Sequence, residues 1–237
     1  MNGHPVTVNY ARLQRALRKR GVRGFARQAI QLARTRRARR AWADADRAFD
    51  ARHGVDTTGI VPLEALAIPS DNKALGIRYQ PSDPDGFRAL IATIGEPLGE
   101  LTFVDLGAGK GRTLLLASEL GFRRVVGVEF APELCEIARR NVATYPASAA
   151  LGDGVEVVCA DAARWPLPDS PLLLYVYNAF EAPLMADVLG SVHRSWSERP
   201  RTILLALVNR TIEADALARL GFRLVGDGEH GEVYVPC

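Results

Sequence analysis

The sequence predicts an α/β fold: a doubly wound, mostly parallel seven-stranded sheet with an antiparallel C-terminal hairpin, plus an N-terminal helical arm. Three observations predict it. From residue 86 onward, short apolar runs alternate with runs of helical period, as strands joined by helical crossovers do. Four of the apolar runs lead into a polar residue, namely Asp105, Glu129, Asp161 and Asn178. Ligands of open α/β sheets sit beyond the carboxyl ends of the strands. The chain closes on two short apolar runs around Gly226-Asp-Gly228, close enough to pair as a hairpin with one strand antiparallel.

The first segment, residues 1–52, is a basic arm. It holds fourteen Lys and Arg against three Asp and Glu, so the net charge of +3 hides a basic arm on an acidic body. Residues 10–51 read as one or two helices, with Leu13, Leu17, Phe25, Ala29 and Leu32 at roughly helical spacing. Arginines fill the other faces, densest from Arg34 to Arg40, and Gly21 and Gly24 break or kink the run. Three readings stay open: a solvated helix on the body, a contact with nucleic acid or an acidic protein, or a membrane-surface helix. The last is the weakest, because the apolar stripe is thin and rich in Ala.

Residues 53–85 are punctuated by Gly and Pro and read as a covering segment, or lid. His53 reads as a structural histidine. The remaining residues, 86–237, form the ligand-binding domain. A helix is expected over about Phe87–Ile94, then a strand ending at Asp105. A helix over Thr113–Leu120 is closed by Gly121. A strand Val125–Val128 ends in Glu129, and a helix Pro132–Thr144 opens on a favourable first-turn proline. Strands Val155–Cys159 and Leu172–Tyr177 follow, then a helix Ala182–Trp196, a strand Thr202–Val208 and a helix Ile212–Leu220. The final strands are Arg223–Val225 and Glu232–Val235.

Composition narrows the class further. Hydrophobic residues make up 48% and charged residues 24%, as in a globular protein with a sizeable core. No window holds ~18 uninterrupted apolar residues, so no membrane span is expected. No secretory h-region is visible, and a cytoplasmic setting is expected. Cys135, Cys159 and Cys237 lack metal-ligand or disulfide spacing; two read as core fillers and the third as a loose terminus. The four histidines do not pair at ligand spacing, so no metal is expected.

The turn after the first strand carries three glycines, Gly107, Gly109 and Gly111. A dinucleotide fingerprint counted from Gly107 would need glycine at position 112, where this chain has Arg112. Asp105 directly before the turn would also repel a pyrophosphate, by about 4 kcal/mol at ~4 Å and an effective dielectric of ~20. An acid there suits a cation. S-adenosylmethionine carries an ammonium and a sulfonium, and its carboxylate can take the amides of the glycine turn. Glu129 is placed to accept the ribose hydroxyls and Asp161 the adenine amino group.

At these residues the sequence resembles the class I, seven-stranded methyltransferases that use S-adenosyl-L-methionine. The stretches are Val104-Asp-Leu-Gly-Ala-Gly-Lys-Gly111, Val126-Gly-Val-Glu-Phe130 and Val158-Cys-Ala-Asp-Ala162, in order and with the usual spacing. The resemblance covers about residues 86–237. It implies a cofactor site made by Asp105, Gly107, Ala108, Gly109, Gly111, Glu129, Phe130, Asp161 and Asn178.

The fourth strand end, Tyr177-Asn-Ala-Phe180, resembles the Asn-x-x-x-Phe region of Dot1-like protein-lysine methyltransferases. More loosely it is similar to the Asn-Pro-Pro-Tyr turn of amino methyltransferases, with Ala179 in place of proline. Tyr79-Gln-Pro-Ser82 resembles a Tyr-x-Pro-Ser/Thr segment that closes over the cofactor in some lysine methyltransferases. The resemblance implies catalytic roles for Asn178 and Tyr79. An Asn carbonyl can hold an amine hydrogen and aim the lone pair, and aromatic faces favour cations. No cysteine follows a proline at this strand end, against C5-cytosine chemistry, and no Lys or His offers a strong base for O-methylation. The expected activity is N-methylation of an amine such as a protein lysine. A small-molecule acceptor, a nucleic acid gripped by the arm, a non-catalytic cofactor-binding module and an NAD(P)-dependent oxidoreductase remain as alternatives.

Overall fold

Strand formation follows from apolar runs too short for helices and rich in β-branched or aromatic residues. In the computed structural model, which describes residues 42–147 and 154–237, seven such runs join one sheet. The strands are β1 (Thr102–Leu106), β2 (Arg124–Glu129), β3 (Val155–Cys159), β4 (Leu172–Tyr177), β5 (Ile203–Val208), β6 (Phe222–Gly228) and β7 (Gly231–Pro236). Their order across the sheet is β3-β2-β1-β4-β5-β7-β6. β7 runs antiparallel to both its neighbours, β5 and β6, while β1 to β5 pair in parallel. β1 lies centrally and all five of its residues are buried, which explains its unbroken apolar run up to Asp105.

Among the described residues after 53, five helices flank the sheet: α1 (Pro84–Ala92), α2 (Arg112–Ser118), α3 (Pro132–Thr144), α4 (Ala182–Glu198) and α5 (Ala214–Arg219). One face of β1, β4 and β5 packs on α4 through Leu184, Val188, Leu189 and Val192. α1 begins three residues before the sequence expectation. Asp83 caps it by accepting from the Gly86 amide at 2.9 Å, and Pro84 occupies the first turn, where its missing N–H costs nothing. β6 also extends further than expected. Gly226-Asp-Gly228 belongs to the strand, past an irregularity between Leu224 and Gly226, rather than to the turn. Of the two cysteines read as core fillers, only Cys135 is buried. Cys159 is exposed, because β3 is an edge strand with half-covered faces.

Residues 53–85 have short elements of their own, two 3₁₀ turns at Leu63–Ala65 and Asp71–Leu75. They form a strap fastened by isolated bridges, Val61 with Tyr79 and Gly76 with Phe180. The chain divides into two compact units, Met1–Phe49 and Asp50–Cys237. Of the first, residues 42–49 are helical, with an Arg47–Asp44 ion pair on the surface. The arginine-dense stretch and the rest of the expected arm helix lie outside the described residues. Among the described residues no helix is long and apolar enough to cross a membrane.

Candidate active site

Parallel registry brings the strand ends together. Asp105 stands opposite Gly127 on β2 and Tyr175 on β4. One cleft at this edge is lined by Asp105, Gly107, Ala108, Glu129, Phe130 and Asp161 from the first three strand ends. Asn178 and Phe180 line it from the fourth, and Tyr79 from the strap. Gly109 and Gly111 are not part of the lining. Gly109 lies under the Tyr79 ring, and Gly111 packs against Ala138 of α3.

Two glycines of the turn are required by geometry. Gly107 has φ +99°, and a Cβ there would lie 2.6 Å from that of Ala179. Gly109 has φ +54°, and a Cβ there would lie 2.2 Å from the Tyr79 ring. The backbone therefore comes as close to the strap and the β4 end as a chain can.

The acids differ in what holds them. Asp105 is buried and accepts a short hydrogen bond from the Thr113 hydroxyl. Burial pushes its pKa up to about 7; the Thr113 bond opposes that shift and Glu129 adds to it. Burial also raises Glu129, against the backbone amides that bond to it. Its Oε2 accepts from the Gly109 amide at 2.8 Å and its Oε1 from the Ala131 amide at 2.9 Å. A carboxylate has about four acceptor positions, so Glu129 keeps acceptor capacity for a hydroxyl. Asp161 is tied to the strap. Its Oδ2 accepts from Ser70 Oγ at 2.6 Å and Asn72 Nδ2 at 2.8 Å, its Oδ1 from the Ala163 amide at 3.0 Å. Partial burial raises its pKa, but these bonds outweigh burial and hold it below the usual carboxylate range.

One expectation is corrected. Four amides of the glycine turn are not free to take a carboxylate. Gly107 and Ala108 donate to the Val128 carbonyl, Gly109 to Glu129 and Gly111 to the Ala108 carbonyl. The tight turn that exposes the backbone also turns its donors inward.

Asn178 has φ +46°, a left-handed conformation uncommon for a side-chain-bearing residue but tolerated best by Asn. Its amide donates to the Val208 carbonyl at 3.1 Å, which fixes it at the end of β4. Tyr79 Oη donates to the Thr57 carbonyl at 2.6 Å. Its proton is thereby committed, and the ring is the part that meets the glycine turn. The Lys110 ammonium lies 5.8 Å from the centre of that ring.

Several site residues escaped the sequence reading. Gln80 Nε2 donates to the Tyr177 hydroxyl at 2.8 Å. Arg112, noted only as a break in a glycine pattern, is buried. It reaches Thr57 Oγ1 at 2.8 Å, the Ser82 carbonyl at 3.2 Å and Asp50 at 3.6 Å, anchoring both ends of the strap. Ser70 and Asn72 lie 91 and 89 residues from Asp161, so no local spacing announces them. Thr113, eight residues after Asp105 on the first turn of α2, had the only nearby signal.

The cleft fits S-adenosylmethionine on its own chemistry. Buried acids await a cation and a ribose, and the close backbone approach at Gly107 leaves room where a side chain would fill it. Comparison with known proteins agrees. Residues 103–197 match the family model described as a methyltransferase domain. No curated protein matches the chain. Among solved structures, a predicted N6-adenine-specific DNA methylase from Listeria monocytogenes superposes with a TM-score of 0.50 at 13% identity, over 66% of this chain and 51% of that one. A point mutant of MtNAS in complex with S-adenosylmethionine gives 0.48 at 20%, over 65% and 62%. The magnesium protoporphyrin IX methyltransferase of Synechocystis PCC 6803, with bound cofactor, gives 0.47 at 14%, over 65% and 77%. The chain thus spans less than two thirds of two of these relatives, and such identities bear on fold alone. Strand order and the acid-ended strands around the glycine turn give the Rossmann-like fold seen in S-adenosylmethionine-dependent methyltransferases, and residues 103–197 of it are similar to a methyltransferase domain.

Proposed function

We propose that this methyltransferase acts on an amine, with the side chain of a protein lysine as the first acceptor to test. The observation that carries the reading is Asn178, held in a left-handed conformation at the end of β4 and lining the same cleft as Asp105 and Glu129. S-adenosylmethionine, when bound, supplies an electrophilic methyl group on a sulfonium. The chain must then hold a neutral amine with its lone pair aligned, and positioning supplies much of such catalysis. Asn178 offers a carbonyl to accept an amine hydrogen. Tyr177 and Phe180 beside it offer aromatic surface that favours cations.

In this reading Asp105 takes the cofactor's ammonium, Glu129 its ribose hydroxyls and Asp161 its adenine amino group, through the acceptor position left on Oδ1. Gly107, Ala108, Gly109, Gly111 and Phe130 shape the bed. Residues 53–85 are the lid, and the Tyr79 ring, clamped on Gly109 from above, is its contact with the turn. Residues 1–52 are an appended basic arm and 86–237 the catalytic domain. A small-molecule amine is the second acceptor class. Incubation with tritiated cofactor and fractionated lysate tests the proposal. Acid-stable label on lysine in the protein fraction is expected. Label confined to nucleic acid, or to ester-linked methyl groups, would refute N-methylation of a protein or small amine.

A further inference from the structure

The cofactor's methionine end carries an ammonium and a carboxylate on the same carbon, so a site that takes the first must also settle the second. Gly107, Ala108, Gly109 and Gly111 of the glycine turn do not supply the donors, since all four amides are engaged within the protein. Nor do the acids around it help: Asp105 and Glu129 would repel a second carboxylate. A cation or a set of free donors must face the turn from elsewhere.

The cations near the turn can be taken in order. Lys110 pairs with Asp56 at 2.6 Å and donates to the Thr58 carbonyl at 2.8 Å. Arg112 is engaged with Asp50, Thr57 and Ser82 beneath the strap. Arg78 also lines the cleft, and its guanidinium forms no ion pair or hydrogen bond with any described residue. Its backbone, by contrast, is fixed on both sides. The Ile77 amide donates to the Ala179 carbonyl at 3.0 Å and the Tyr79 amide to the Val61 carbonyl at 2.9 Å. Arg78 therefore stands between the residue that docks beside Asn178 and the residue whose ring covers Gly109. A planar guanidinium suits a carboxylate, which it can hold through two parallel hydrogen bonds.

Resting on the assignment of S-adenosylmethionine to this cleft, we propose that Arg78 of the strap holds the carboxylate of the cofactor's methionine moiety. The strap is then part of the cofactor site rather than a cover alone. It reads the two ends of the ligand: Ser70 and Asn72 sit on Asp161 at the adenine end, and Arg78 meets the amino-acid end.

Calorimetric titration of the full chain with S-adenosylmethionine and with 5′-methylthioadenosine, which lacks the amino-acid group, tests this without turnover. Arg78→Ala should weaken S-adenosylmethionine by about tenfold or more, as loss of a charged hydrogen-bonded contact does, and leave 5′-methylthioadenosine unchanged. Arg78→Lys should recover part of the loss. Equal weakening of both ligands would overturn the proposal, because Arg78 would then be acting on strap position. Unchanged affinity for both would overturn it as well, and a rise in acceptor KM in the same variant would reassign Arg78 to the acceptor. If the wild-type chain binds neither ligand, the cofactor assignment itself fails. If it binds both equally, the contacts assigned to the amino-acid end, Arg78 and Asp105, both fail. Arg78 is exposed, so its substitution should leave the melting temperature unchanged and the comparison clean.

Discussion

Gly109 and Glu129, joined by one hydrogen bond behind the proposed cofactor wall of the cleft, are 20 residues apart; Gln80 and Tyr177, joined across the proposed acceptor wall, are 97 apart. The first wall comes from consecutive strand ends in parallel register, so its acids recur at the spacing of a strand-helix-strand unit. The second is assembled when the strap lies beside the end of β4, with Gly76 bridged to Phe180 and Ile77 bonded to Ala179. A wall made by register is rigid and generic. A wall made by a strap is assembled from distant parts of the chain, and in the proposed function both the cofactor's amino-acid end and the acceptor meet it.

Substitutions on either side should separate the walls, and the largest effect is expected at their contact. Gly109→Val places a branched side chain at φ +54° and into the Tyr79 ring. Affinity for S-adenosylmethionine should fall by about a hundredfold, from strain and steric conflict together. A dissociation constant within threefold of wild type would show that the ring does not rest on the turn.

Asn178→Gly is the next in size. Glycine keeps the left-handed backbone and removes only the amide, whereas alanine would add strain of its own. Single-turnover rates should drop by about a hundredfold, on the scale of losing a placed polar group, while cofactor affinity stays within threefold. Loss of affinity together with rate would move Asn178 to the cofactor wall.

The smallest effect is one of pH. Burial keeps Asp105 protonated until about pH 7, and a cation beside it favours the ionised form. Binding must therefore expel the proton at low pH, and affinity should weaken by about tenfold for each unit below 7. Titrations in buffers of different ionisation enthalpy should detect about one proton released at pH 6, and fewer as the pH rises through 7. A flat profile without proton release would place the ammonium away from Asp105.

What the sequence made legible follows the same division. Asp105, Glu129 and Asn178 sit at the ends of β1, β2 and β4 as the apolar runs foretold, and the glycine turn lies where the spacing placed it. Asp161, too, lies just past β3. The strap residues were invisible in their roles, because Ser70, Asn72 and Gln80 meet partners that only the folded sheet brings near, and only the fold sets Arg78 in the cleft lining. The role of Arg112 was invisible for a related reason. In the sequence it only breaks a glycine pattern, and the fold is what buries it against the strap. The free turn amides failed as an expectation because backbone bonds to Val128 depend on how the turn folds back onto β2. Cys159 failed because strand order, which sequence does not carry, puts β3 at an edge.

The central claim is that the acid-ended strands and the glycine turn form a site for S-adenosylmethionine. Its most direct test is calorimetric titration of the full chain with S-adenosylmethionine and, separately, with NAD. The account predicts saturable one-to-one binding of S-adenosylmethionine, weakened by Glu129→Gln, and no detectable heat from NAD. Binding of NAD in its place, or S-adenosylmethionine binding indifferent to Glu129, would contradict it.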